Sequence, residues 1–121
     1  MRLKILAVVA LLASPISAQA GDVAAGEKVF KKCKACHVVD AEKNKTGPHL
    51  VGIINRPAAS VESYKKYSKA MKESGLIWDE ATLDGYLEKP KKFLKGTKMA
   101  FAGLRKADDR ANVIAYLKSF Q

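Results

Sequence analysis

The chain has 121 residues, 48% of them hydrophobic, two cysteines and a formal net charge of +10 at pH 7. A chain of this length forms one small domain with a thin hydrophobic core, which excludes a multidomain architecture. The basic excess predicts a partner with an anionic surface.

Residues 1–20 have the pattern of a cleaved secretory signal peptide. A basic start is followed by the apolar stretch Ile5–Ala13 and by an Ala-x-Ala ending at Ala20. The alternative is a retained membrane anchor, but spanning a bilayer takes roughly 20 apolar residues and Pro15 interrupts the stretch. We therefore expect an exported, soluble periplasmic protein consisting of one domain, residues 21–121. Removing the two basic residues of the leader leaves +8, and in this compartment an acidic protein surface is a better partner than nucleic acid.

Helical patterns dominate this predicted domain. The predicted N-cap residues are Asp22, Ser68, Asp79, and either Asp108 or Asp109. Apolar residues recur at helical spacing behind each cap, and alternating strand patterns are absent. The sequence predicts an all-α fold with helices over residues 23–37, 68–74, 80–89, 91–94 and 110–121.

Glycine and proline mark where these helices stop. Gly75 is expected to end the second helix, Pro90 the third, and Gly96 the short turn that follows. Residues 46–64 between the first two helices are rich in Gly and Pro and show no clean period. An unstructured loop of this length is unusual in a compact domain, so we expect it to wrap around a bound group.

The two cysteines stand in the sequence Cys33-Lys-Ala-Cys36-His37. A redox disulfide of this spacing is typical beside a βαβ unit, which the sequence lacks. A structural zinc site would need four ligands, nominally both cysteines, His37 and His49, but His37 directly adjoins Cys36. The third alternative, covalent haem c, matches the Cys-x-x-Cys-His signature. The two thiols can each add to a haem vinyl group, and His37 can then bind the iron.

The sixth iron position has three candidates in the sequence, Met71, Met99 and His49. Met71 lies in the short second helix, where methionine commonly fills a core. Met99 lies between glycines in a segment that joins two predicted helices. A side chain there can point inward without belonging to a helical face.

Four stretches resemble class I cytochrome c, most closely the periplasmic c2 type of bacteria. They follow the family order through the predicted domain and are GEKVFKKCKACH, TGPHLVG, GLIWDEATLDGYLEKPKKFLKGTKMAFAGL and NVIAYLKSF. The resemblance implies that His37 and Met99 are the axial iron ligands and that the carbonyl of Pro48 holds the His37 ring. It further implies that groups around the haem propionates are Arg56, Tyr67, Trp78 and Thr97, that Tyr86 lies near the methionine sulfur, and that the first and last helices meet at Gly26, Phe30 and Tyr116.

Three positions depart from the family pattern. His49 stands where the family usually has asparagine, and we expect it to face solvent, with iron ligation on release of Met99 as the alternative. Lys95 replaces a common proline, which predicts a looser Met99 segment. Met71 falls where many relatives have asparagine near the haem interior.

An iron held by two strong protein ligands has no open position, so the resemblance and the ligands together imply one-electron transfer and no enzymatic activity. The expected partners are acidic faces of redox proteins, with a quinol-oxidising complex as donor and a terminal oxidase, reaction centre or reductase as acceptor. The chain is expected to remain monomeric. The lysines expected to form the docking face are Lys31, Lys32, Lys34, Lys45, Lys91, Lys92, Lys95, Lys98 and Lys106.

Two other functions remain open at this point. A haem enzyme or gas sensor would need a labile or absent sixth ligand. A structural zinc module would contain no haem at all.

Overall fold

The structure is a computed structural model that describes residues 8–11 and 21–121. The predicted signal peptide lies mostly outside these residues, so its cleavage remains a prediction. Within the described residues no helix is long and apolar enough to cross a membrane. The all-α prediction is confirmed, because the described chain forms helices but no strand, and the helices are α1 (Val23–Phe30), α2 (Lys69–Glu73), α3 (Glu80–Glu88), α4 (Pro90–Phe93) and α5 (Ala107–Lys118).

The first and last helices pack against each other at a glycine. A Cβ on Gly26 would overlap the backbone carbonyl of Asn112 and would lie 2.8 Å from Cβ of Tyr116. Next to this contact the rings of Phe30 and Tyr116 have their centroids 5.3 Å apart. The predicted contact between the first and last helices is therefore confirmed, and it joins the two ends of the domain.

Side-chain caps start three of the helices as predicted. The Asp22, Ser68 and Asp79 side chains accept hydrogen bonds from backbone N–H groups three residues later. The prediction for α5 is wrong, since this helix begins at Ala107 and has no side-chain cap. Asp108 and Asp109 lie in its first turn instead, where a carboxylate also stabilises the positive end of the helix.

The first helix is shorter than predicted. It ends at Phe30, and residues 31–36 continue as irregular turns. The N–H of Cys33 bonds to the Phe30 carbonyl at 2.8 Å, and the N–H of Cys36 bonds to the Cys33 carbonyl at 3.1 Å. These three-residue bonds alternate with four-residue bonds from Lys34 to Phe30 and from His37 to Cys33, so the segment consists of successive turns and not of regular α-helix.

The long segment between α1 and α2 is ordered by bonds to the rest of the domain. The N–H of Gly52 donates to the Phe120 carbonyl at 2.9 Å, and the N–H of Asn55 donates to the Trp78 carbonyl at 2.8 Å. Pro57 and Ile77 form an isolated antiparallel bridge. The loop is thus held against both the residues that follow α5 and the residues just before α3.

Candidate haem-binding site

The two cysteines lie in the turns after α1, half-buried and unpaired. Burial, helped by the neighbouring Cys36, raises the pKa of the Cys33 thiol to about 11. Cysteines of redox motifs instead have a lowered pKa, because the thiolate is the reactive form. The environment of Cys33 therefore argues against the redox-disulfide alternative.

His37 is fixed by one short hydrogen bond. Its Nδ1 donates to the Pro48 carbonyl at 2.7 Å, as the resemblance implied. Because a carbonyl can only accept, Nδ1 carries the proton and Nε2 keeps its lone pair. Burial lowers the pKa of His37, which favours the neutral ring that binds a metal. A carbonyl on the far ring nitrogen is the usual orienting partner of a metal-bound histidine.

Gly47 makes room for this ring. A Cβ on Gly47 would lie 2.8 Å from His37 Nδ1 and would overlap the ring carbon between the two nitrogens. The Gly47 N–H also bonds to the Cys36 carbonyl at 2.8 Å. Gly47 was assigned no role of its own from the sequence. Its position directly before Pro48 was the available sign that the backbone there passes close to the His37 ring.

The structure does not support a zinc site. Among residues 8–11 and 21–121, no group of three or more His, Cys, Asp or Glu side chains lies close enough to hold a metal ion. The four nominal ligands of the zinc alternative therefore do not converge in the described chain.

Met99 lies in the segment between α4 and α5, half-buried and packed against the core, as is Met71. Two residues before Met99, the Thr97 hydroxyl is 2.7 Å from the Tyr86 hydroxyl on α3. This bond brings together two residues that were assigned separate roles, and it ties the Met99 segment to the core. The assignment of Met99 as iron ligand remains a prediction.

Arg110 on α5 holds the end of the same segment, and sequence reasoning did not single it out. Its guanidinium is buried and donates to the carbonyls of Leu104 and Arg105 at 2.9 and 3.1 Å. Its Nε donates to the Asp84 carboxylate on α3 at 2.8 Å. In the sequence, Arg110 is one charge among many on an amphipathic helix, so no local signal could have indicated this role.

Arg56 supplies a partly buried positive charge in the long loop. Its Nη1 and Nη2 donate to the carbonyls of Val51 and His49 at 3.2 and 3.0 Å. Its Nε is buried without a hydrogen-bond partner. A buried cation with a free donor is costly unless an anionic acceptor meets it. The carboxylate of a haem propionate would satisfy this group, so the residues present fit a haem.

The other residues assigned to the propionates are placed differently from one another. Trp78 is buried, and its ring centroid is 5.0 Å from that of Tyr86. The Tyr67 hydroxyl accepts a bond from the Val61 N–H at 3.3 Å, which leaves its own proton available. The roles of Trp78 and Tyr67 at the propionates remain predictions. The role of Thr97 there is also a prediction, and its hydroxyl is already bonded to Tyr86.

The expectation that His49 faces solvent is wrong, since only 9% of the residue is exposed. Its backbone is held from both sides: its N–H donates to Asn44 Oδ1 at 3.0 Å, and its carbonyl accepts from Arg56. These bonds pull the residue into the domain, which the sequence pattern alone did not indicate. Burial and the charge of Arg56 lower the pKa of His49.

All nine lysines assigned to the docking face are exposed. The Lys45 ammonium donates to the Lys34 carbonyl at 2.9 Å, which joins the loop to the cysteine motif. Among the described residues, the three ion pairs involve other basic side chains, Lys69, Arg110 and Lys118. The nine charges are therefore available to an external partner.

Comparison with known proteins agrees with this site. The family model for cytochrome c matches residues 23–121. A cytochrome c type-1 from Ascaris suum is 52% identical over 99 residues, covering 81% of this chain and 88% of that protein. A cytochrome c2 from Rhodomicrobium vannielii is 50% identical over 109 residues, covering 89% of this chain and 86% of that protein. The solved structure of cytochrome cH from Methylobacterium extorquens has a TM-score of 0.77 and 46% identity, covering 82% of this chain and 99% of that chain.

These similarities extend over the helices, the cysteine motif and the segments around His37 and Met99. They confirm the resemblance inferred from the sequence and the prediction of one haem c. The chain is therefore a member of the cytochrome c family, a haem-containing electron carrier with one covalently bound haem c.

Proposed function

We propose that the chain carries single electrons through a haem iron bound by His37 and Met99 and attached to Cys33 and Cys36. The observation that carries this proposal is the hydrogen bond from His37 Nδ1 to the Pro48 carbonyl. It fixes the ring and leaves the lone pair of Nε2 free to bind a metal, in the residue that directly follows Cys36. The cofactor, when bound, supplies the reversible Fe(II)/Fe(III) couple.

The protein's part in this chemistry is to hold both iron positions and to set the relative stability of the two oxidation states. A thioether is a soft, neutral ligand that favours ferrous iron, and Met/His ligation is the arrangement by which cytochromes c raise the haem potential. The buried side chains of Phe30, Trp78 and Leu104 form an apolar interior that disfavours the extra charge of ferric iron. With His37 and Met99 both bound, no position is left for a substrate.

Arg56, Tyr67 and Trp78 are proposed to hold the propionates. The free Nε of Arg56 supports this, since it is a buried donor without an acceptor. Thr97 is proposed to act chiefly through Tyr86, to which it is bonded at 2.7 Å. This bond would hold the Met99 segment in place, while Arg56, Tyr67 and Trp78 bind the propionates.

The nine exposed lysines are proposed to form a docking face for acidic redox proteins. A quinol-oxidising complex would be the donor, and a terminal oxidase, reaction centre or reductase the acceptor. Exposed charge speeds encounter with an oppositely charged partner, and salt screens this effect. We place the protein in the periplasm on the strength of the leader-like residues 1–20, and we propose that it acts there as a soluble monomer.

A redox titration of the purified protein tests the proposal. We expect a single reversible one-electron couple and no rapid carbon monoxide binding by the ferrous protein at neutral pH. Rapid carbon monoxide binding would indicate an open iron position and favour a sensor or enzyme. The rate of electron transfer to an acidic redox protein should fall steeply with ionic strength, and Lys98→Glu should slow it more than Lys69→Glu, whose lysine is already paired with Glu73.

A further inference from the structure

His49 is a buried histidine that the proposed electron-transfer mechanism does not use. Only 9% of the residue is exposed, and its Nδ1 is buried without a hydrogen-bond partner. The Asn44 side chain holds its N–H at 3.0 Å, and the Arg56 guanidinium holds its carbonyl at 3.0 Å. The imidazole is therefore anchored at its backbone while one ring nitrogen remains unsatisfied.

The neighbouring Arg56 is unsatisfied as well. Its Nε is the other buried polar side-chain atom without a partner in the described chain. The two unpartnered nitrogens belong to residues joined by the bond from the Arg56 guanidinium to the His49 carbonyl, and the charge of Arg56 acts on the His49 ring. A buried cationic donor beside an imidazole suits a carboxylate, and the haem is the component of this family that brings carboxylates into the interior.

The charges around His49 act in both directions. Burial and the positive charge of Arg56 lower its pKa, whereas the carboxylate of Glu42 raises it. Tyr67 is the titratable group that acts electrostatically on Arg56. One further charge nearby will shift the protonation of the ring, and oxidation of the iron adds one positive charge.

We propose that His49 is a redox-linked proton site, in which reduction of the iron is accompanied by partial uptake of a proton from solvent onto the imidazole. The electron comes from the redox donor and the proton comes from water. The proton on His49 then partly compensates the negative charge that the electron adds. The proposal rests on the proposed function, since it requires a haem beside Arg56. It replaces both earlier alternatives for His49, a solvent-facing side chain and a substitute iron ligand.

The sign of the effect follows from the charges. Ferric iron disfavours the imidazolium, so the ring has a lower pKa in the oxidised protein than in the reduced protein. Between these two values the midpoint potential falls as pH rises, and outside them His49 adds no pH dependence. Suppose that the added charge on the iron changes the protonation constant of His49 by about threefold. A tenfold change in this constant corresponds to 59 mV for one electron, so the midpoint potential then falls by about 28 mV across the step.

The test is the midpoint potential of the holoprotein between pH 5 and 8, together with NMR titration of the His49 ring protons in both oxidation states. We expect a downward step in the wild type that disappears in His49→Asn, whose amide cannot titrate. Glu42→Gln is the matched variant, and it should move the step to lower pH without removing it.

A step that survives in His49→Asn would assign the titration to a propionate and overturn the inference. Identical His49 pKa values in the two oxidation states, or a pH-independent potential in the wild type, would overturn it too. Failure to find any reversible haem couple would contradict the proposed function instead, so the two claims fail separately.

Discussion

The two segments that supply the predicted iron ligands are built differently. On the His37 side, the ligand itself is hydrogen-bonded to Pro48 and packed against Gly47. On the Met99 side, the hydrogen-bonded residues are Thr97, Leu104 and Arg105. Met99 itself makes none of these bonds. The histidine is thus oriented directly, whereas the methionine is oriented by the ends of its segment. We expect the methionine bond to be the weaker of the two.

Loosening the end of the Met99 segment should have the largest effect on stability. Arg110→Leu leaves the carbonyls of Leu104 and Arg105 and the carboxylate of Asp84 without a donor. We expect the free energy of unfolding to fall by about 2–4 kcal/mol. Guanidinium chloride unfolding of the holoprotein, followed by circular dichroism, measures this loss.

The matched control for Arg110 is the exposed pair of Lys118 and Glu80. Both side chains are more than half exposed and their charged atoms are 3.0 Å apart, so Lys118→Met should cost less than about 1 kcal/mol. Comparable losses in the two variants would show that the buried Arg110 bonds do not anchor the segment.

Crowding the His37 ring should lower the free energy of unfolding by a smaller amount. Gly47→Ala places a methyl group against the His37 ring, and overpacking of this kind costs about 1–3 kcal/mol. The ring must also move, so the visible absorption of the haem should change. Gly52→Ala is the control, because Gly52 has a positive φ of 65° but open space where the Cβ would lie. It should lower stability through backbone strain and leave the spectrum unchanged; a spectral change in Gly52→Ala alone would contradict this view of the His37 side.

The smallest effect concerns pH. The folded protein lowers the pKa of His49, so below about pH 6.5 the unfolded chain binds a proton at this residue that the folded chain does not. The free energy of unfolding should therefore fall as pH drops below that value, by at most about 1.4 kcal/mol per pH unit. Unfolding at several pH values checks this, and His49→Asn should reduce the slope. A free energy of unfolding that increases as the pH is lowered would contradict the assigned direction of the pKa shift.

Local sequence signals predicted much of this architecture. The caps at Asp22, Ser68 and Asp79, and the motif that ends in His37, depend on residues close together in the chain. The buried position of His49 and the bonds of Arg110 depend on partners brought together by folding. A lysine has no acceptor in its side chain, so Lys106 carried no signal that α5 begins after it. The sequence therefore indicated the helix caps better than it indicated the contacts between distant residues.

The far-red iron–sulfur charge-transfer band of the oxidised protein tests the central claim most directly. We expect this band in the wild type and in Met71→Leu, and we expect it to disappear in Met99→Ala while the haem stays bound to the polypeptide during acid-acetone extraction. Persistence of the band in Met99→Ala, or release of the haem into the organic solvent from the wild type, would contradict the account.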